Sequence, residues 1–160
     1  SIINTYSASA WNEISENAIG ALKFQAKSVH GVDANVRLTN RLFVSGRKLR
    51  GFVRGKVGPK DGAGWIGGNY VMGLSAEVQL PNLLPESYKT DFSIYLDSAN
   101  IWGVDYNDSI DDSNKIRSSI GVAANVFTPI GPLSWTLSQS ITKASTDETE
   151  TFNFNIGTSF

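Results

Sequence analysis

The sequence predicts an all-β protein: an antiparallel transmembrane β-barrel, of which this chain is a carboxy-terminal fragment of about seven strands. Three observations carry that expectation. Apolar residues recur at every second position in segment after segment, and no segment sustains the i, i+3, i+4 spacing of a helix. The faces opposite the apolar ones are mostly Ser, Thr, Asn, Gly and Gln with a few isolated charges, which suits a crowded, hydrated lumen better than open solvent. The connectors alternate between short and long, as outer-membrane barrels alternate periplasmic turns with longer outer loops.

Taken in chain order, residues 2–11 read as the end of a strand whose parity is ambiguous. Leu22, Phe24 and Ala26 then oppose Lys23, Gln25 and Lys27. Across 69–80, Tyr70, Met72, Leu74, Ala76, Val78 and Leu80 share one face, against Gly73, Ser75, Glu77 and Gln79. Across 89–100, Phe92, Ile94 and Leu96 oppose Asp91, Ser93, Tyr95 and Asp97. Across 116–127, Ile120, Val122, Ala124 and Val126 oppose Arg117, Ser119, Gly121, Ala123 and Asn125. Across 133–142, Leu133, Trp135, Leu137 and Ile141 oppose Ser134, Thr136, Ser138 and Ser140, with Gln139 the polar intruder on the apolar side. In the closing segment Phe152, Phe154, Ile156 and Phe160 share one parity, and Asn153, Asn155 and Ser159 the other. In a soluble protein such a strand is an aggregation hazard unless covered. In an outer-membrane barrel it is the expected last strand, apolar groups toward lipid and an aromatic at the water interface.

Short connectors fall at 12–17, 81–87 and 128–132, and long or polar ones at 30–68, 103–115 and 143–149. With 128–132 periplasmic, the last strand runs inward and ends in the periplasm. Single-chain bacterial barrels have even strand numbers from ~8 upward, so further strands are expected on the amino-terminal side. The start at Ser1, without Met or a signal segment, fits the carboxy-terminal piece of something longer.

Composition narrows the function. The 160 residues carry Lys+Arg 14 against Asp+Glu 15, a net charge of −1, which argues against a nucleic-acid partner. The absence of cysteine removes disulfides and thiolate metal sites. No apolar run approaches the ~20 residues of a membrane-spanning helix. A mean hydropathy of −0.15 looks soluble, but alternating barrel strands average out in the same way.

The 30–68 connector is too long for a hairpin, and loops beyond ~12–15 residues are usually functional or disordered. It holds Leu49-Arg50-Gly51-Phe52, which combines a bidentate cation, a residue free to take positive φ and an apolar anchor. If Arg50 folds back into a barrel it needs carboxylates there, because a buried unpaired charge is costly. Parity offers two on the lumen face, Glu77 and Asp97. On these residues alone, a solvated loop arginine is the simpler reading.

The residues around it shift that balance. Leu49-Arg50-Gly51-Phe52 resembles the loop signature of the BamA superfamily of outer-membrane assembly and secretion pores. Ile66-Gly67-Gly68-Asn69, the Glu77 strand ending in Pro81, Tyr95 through Trp102, Ile116-Arg117 through Pro132-Leu133 and the closing Phe152-Asn153-Phe154-Asn155-Ile156-Gly157 are similar to successive family segments in the same order, from about Ala18 onward. Two features depart from the pattern: Ser98-Ala99 follows Asp97 where the family often has glycine, and the connector before Trp65 lacks the large insert of some members.

The resemblance implies a barrel of about sixteen strands with periplasmic POTRA domains, in which residues 1–160 form the carboxy-terminal part, of bacterial surface antigen type, with the loop at about 30–68 directed into the lumen. It implies a non-enzymatic outer-membrane assembly factor that folds and inserts β-barrel proteins, with no cofactor, metal or covalent step. Its partners would be unfolded outer-membrane proteins, outer-membrane lipid and lipopolysaccharide, and accessory assembly lipoproteins. By the same resemblance Arg50 meets Glu77 and Asp97 on the inner wall. The strand carrying Phe152, Phe154, Ile156, Gly157 and Phe160 forms one lip of a lateral seam, and Gly157 weakens packing there. TamA-like proteins and two-partner secretion pores share the arginine loop and stay open as alternatives. So does a passive channel, and a soluble β-sandwich is a further class.

Other features read as ordinary. His30 sits at a strand end, and Asp105, Asp108, Asp111 and Asp112 lack EF-hand order and read as a solvated acidic outer loop. Gly62-Ala63-Gly64 and Gly67-Gly68 lack the Lys-Ser/Thr pair and following helix of a phosphate loop.

Overall fold

Period-2 segments can satisfy their backbone groups only by pairing with one another, and here they pair in sequence order. A computed structural model describes residues 1–156. Its strands are β1 (Ile2–Ser15), β2 (Ala18–His30), β3 (Lys60–Asp61), β4 (Gly64–Trp65), β5 (Tyr70–Leu80), β6 (Thr90–Trp102), β7 (Arg117–Thr128), β8 (Gly131–Thr142) and β9 (Phe152–Ile156). Seven of them form one antiparallel sheet in the order β1-β2-β5-β6-β7-β8-β9, and β3-β4 is a small separate hairpin in the long loop. Strands β1, β2 and β5 to β8 run 11 to 14 residues. About 9–11 residues suffice for a tilted strand to cross a bilayer.

The sheet is inside out relative to a water-soluble protein. On β6, Ile94 and Leu96 are exposed while Ser93, Tyr95 and Asp97 between them are buried, Asp97 completely (0% exposed). The same inversion holds on β5, where Leu74 is 49% exposed and Ser75 4%. On β7, Ile120 and Val122 are exposed and Ser119 is buried. A greasy outer face this extensive is stable only against another apolar phase. The alternation therefore has a consistent physical meaning, hydrocarbon outside and a polar interior.

Register aligns the inner face into rows, because directly opposed residues point the same way. One row is Ala21, Glu77, Tyr95, Gly121 and Ser138. The next is Lys23, Ser75, Asp97, Ser119 and Ser140. A third places Gln25, Gly73, Ala99 and Arg117 together.

Two readings from sequence need adjustment. The connector at 12–17 is shorter than expected: β1 continues to Ser15, with Trp11 opposite Ala21 and Glu13 opposite Ile19, leaving Glu16 and Asn17 as the turn. Asn12 and Glu13 hid this strand end, and a register shift between Glu13 and Ser15 broke its alternation. Parity in β1 is fixed by pairing, with Tyr6 packed edge-on to Phe24 at 5.9 Å on the outer face. The long loop has internal structure, a 3-10 turn at Leu38–Asn40, the β3-β4 hairpin and a Leu42–Gly68 bridge.

The apolar core lies between this loop and the inner face of the sheet. Val44, Leu49, Phe52 and Val57 from the loop pack on Val71, Ala99 and Ile101 of β5 and β6. Together they make an apolar seat at the loop-bearing end of the inner face. Gly157 and Phe160 lie outside the described residues.

Candidate functional site

Leu49 and Phe52 are almost fully buried in this seat, one on each side of Arg50-Gly51. Their burial removes apolar surface from water and fixes the tip of the loop against the wall. Backbone pairing adds to it: the Val53 N–H donates to the Glu148 carbonyl at 2.9 Å, and the Glu150 N–H to the Gly51 carbonyl at 3.0 Å. Gly51 has φ +88, and a side chain there would place Cβ 2.8 Å from Ser138 Cβ. Only glycine turns the chain at this close approach.

That anchoring delivers the Arg50 guanidinium onto four inner-wall side chains. Nε donates to Asp97 Oδ2 at 2.8 Å and Nη2 to Asp97 Oδ1 at 2.9 Å, a bidentate pair. Nη1 reaches Glu77 Oε2 at 2.7 Å, and Nη2 reaches Ser75 Oγ at 3.3 Å. The guanidinium carbon lies 3.5 Å from the centre of the Tyr95 ring. The Arg50 backbone is held as well, its N–H donating to Asp97 Oδ2 at 3.0 Å and its carbonyl accepting from the Ser119 hydroxyl. Burial works against the arginine charge, but the hydrogen bonds and charges of Asp97 and then Glu77 outweigh it and raise its pKa.

The wall is prepared for this group. Ser75 Oγ donates to Asp97 Oδ1 at 2.6 Å, and Gln79 donates to Glu77 Oε1 at 3.2 Å. Tyr95 shares a hydrogen bond with Ser138 and lies flat because Gly121 opposes it. A Cβ at position 121 would meet the Tyr95 hydroxyl at 2.4 Å. Tyr95 stood on the polar face of its segment in the sequence, and that aromatic among Ser and Asp was the available signal for it.

A second ion pair, absent from the sequence reading, locks the outer loops. Arg117 and Asp147 both have fully buried side chains, and Arg117 Nε donates to Asp147 Oδ2 at 2.9 Å. Arg117 also donates to Asn100 Oδ1 at 2.9 Å and to the carbonyls of Lys115 and Ile101. Asp147 accepts from the Gly58 N–H at 2.9 Å and the Ala144 N–H at 2.6 Å. One pair thus ties the long 31–69 loop, the 103–116 loop and the 143–151 loop to β7. Arg117 was legible as an inward cation, but nothing distinguished Asp147 from its neighbours Glu148 and Glu150.

Asp105 differs from the expected solvated acid. It accepts from the Val36 N–H at 2.9 Å and pairs with Arg41, so the long loop is bound at its start too. Burial opposes its ionisation, but the Val36 N–H, Asn69 and Arg41 outweigh it and hold its pKa below the usual carboxylate value.

Glu77 and Asp97 are saturated by Arg50, Ser75 and Gln79, so the network is a latch with no free base aimed at a substrate. Among the described residues no three His, Cys, Asp or Glu side chains gather as metal ligands. A concavity of about 510 Å³ lies on the outer apolar face beside Leu22, Val78, Ile94 and Leu96. Phe152, Phe154 and Ile156 are exposed on the free edge strand β9, where Phe154 packs against Trp135 at 5.7 Å.

An antiparallel sheet with an apolar exterior, a polar inner face and a loop latched to that face defines a wall of the outer-membrane β-barrel class. The chain belongs to the Omp85 superfamily, whose domain model matches residues 4–160. It is 28% identical over 149 residues to the outer membrane protein assembly factor BamA of Neorickettsia risticii, covering 91% of this chain and 20% of that protein. It is 27% identical over 139 residues to BamA of Neisseria meningitidis serogroup B, covering 70% of this chain and 17% of that protein. The crystal structure of BamA from Haemophilus ducreyi lacking POTRA domains 1–3 superposes with a TM-score of 0.81 at 25% identity, over 95% of this chain and 34% of that one. The chain therefore spans about a fifth of the length of the curated relatives it matches. Family and fold place it in the Gram-negative outer membrane.

Proposed function

We propose that this chain is the carboxy-terminal wall of an outer-membrane protein assembly factor, a barrel of about sixteen strands that folds and inserts other β-barrel proteins. The observation that carries this reading is the Arg50 latch, in which a loop residue engages two acids on adjacent strands. A passive channel does not require a loop arginine matched to an acid pair on its wall. The latch holds residues 31–69 in the lumen as a rigid support, leaving β9 as one lip of a lateral seam. The exposed backbone of an edge strand templates an incoming strand by β-augmentation. Unfolded outer-membrane proteins are then the substrates. Lipid and lipopolysaccharide form the surrounding phase, and assembly lipoproteins are the accessory partners.

The seam is testable in the full-length protein. A disulfide linking β9 to the first barrel strand is expected to stop insertion of client barrels while leaving heat-modifiable gel mobility intact, and a reductant restores insertion. Continued growth of cells carrying a verified crosslink contradicts the seam mechanism.

A further inference from the structure

The Arg50 and Arg117 ion pairs leave a surplus of positive charge on one part of the inner wall. Lys23 and Lys27 point inward from β2, opposite Ser75 and Val71. Between them Gln25 pairs with Gly73, a position with no side chain. Lys48 occupies that gap, its Cβ 3.7 Å from where a Gly73 Cβ would stand. The loop thus delivers a third lysine into the space flanked by the first two, with Arg47 beside it. None of these four cations forms an ion pair among the described residues. The nearby inner-wall carboxylates, Glu77 and Asp97, are both bound to Arg50. Of the other acids on β1 and β6, Glu13 and Asp91 lie near the turn ends. Burial, then Lys23, with Lys27 and Arg47 adding, lowers the Lys48 pKa although Asp97 acts the other way.

We propose that Lys23, Lys27, Lys48 and Arg47 form an anion-attracting surface in the water-filled lumen, so that the intact barrel conducts small inorganic anions in preference to cations. The physical basis is the one that makes Lys- and Arg-lined pores favour anions. Low-dielectric walls focus the field of like charges and concentrate counter-ions beside them. The lysines are half-buried rather than occluded, so mobile anions reach them. The inference rests on the closed, wet barrel of the reading above, and goes beyond it in assigning the lumen a sign.

The test uses the full-length protein in planar bilayers across a potassium chloride gradient, with folding verified first by heat-modifiable mobility. The wild type is expected to give a zero-current potential of the chloride sign, with a permeability ratio favouring chloride on the order of several-fold. That ratio falls toward unity between 0.1 M and 1 M salt, as the screening length shrinks from ~10 Å to ~3 Å. The triple variant Lys23→Gln, Lys27→Gln, Lys48→Gln keeps side-chain length and loses the selectivity, and the corresponding glutamate variant reverses it. A folded barrel that is unselective, cation-selective or non-conducting overturns the proposal, as does an unchanged ratio in the glutamine variant. Normal client insertion alongside any of those results sinks this inference alone. Failure of the protein to form a heat-modifiable barrel sinks the underlying reading with it.

Discussion

Replacing Arg117 by alanine in the full-length protein is expected to destabilise the folded barrel by about 3–5 kcal/mol, the range for breaking a fully buried ion pair from one side. The size follows from what is left behind. Asp147 has no exposed side-chain surface, so its carboxylate would keep two backbone N–H donors and lose its counter-charge. The Asn100 side chain and the Ile101 and Lys115 carbonyls lose donors as well. A urea titration read by heat-modifiable mobility checks the magnitude. The double replacement Arg117→Met, Asp147→Leu is expected to cost less than Arg117→Ala, because it leaves no buried charge unpaired. A single replacement costing under about 1 kcal/mol contradicts the buried geometry.

Arg50→Ala is expected to cost a similar 3–5 kcal/mol and also to lower client insertion, since it frees the loop tip from Glu77 and Asp97 together. Lysine does not substitute, for a point charge cannot reproduce the bidentate pair with Asp97, the bond to Glu77 and the stack on Tyr95. A charge swap, Arg50→Asp with Asp97→Arg, is expected to recover part of the loss. Comparison of insertion rate with urea midpoint across these variants separates the two roles. Wild-type stability and insertion in Arg50→Ala removes the latch from the account.

Much of the wall was legible because β-pairing in a membrane obeys few rules. Alternation at Ile94, Leu96, Ile120 and Val122 fixed the outer face, and the same parity put Glu77, Asp97 and Arg117 inward. What escaped depends on contacts between segments far apart in sequence. Asp147 lies 30 residues from Arg117 and 89 from Gly58, and nothing local marks it as their common partner. The opening Gly121 makes for Tyr95 likewise exists only across a strand pair. Strand ends were misplaced where polar residues broke the pattern, as at Asn12 and Glu13, because pairing partners were invisible from one segment.

The most direct measurement concerns which phase each face of the sheet meets. The chain has no cysteine, so single cysteines at 93, 94, 122 and 123 can be spin-labelled one at a time in bilayers. Collision with dissolved oxygen reports hydrocarbon, and collision with a nickel chelate reports water. Register pairs Ser93 with Ala123 and Ile94 with Val122, so labels at 94 and 122 should be oxygen-accessible and those at 93 and 123 shielded from oxygen and nearer to nickel. Loss of that alternation, or its inversion with 94 and 122 in water, would contradict a sheet that faces lipid on one side and a wet interior on the other.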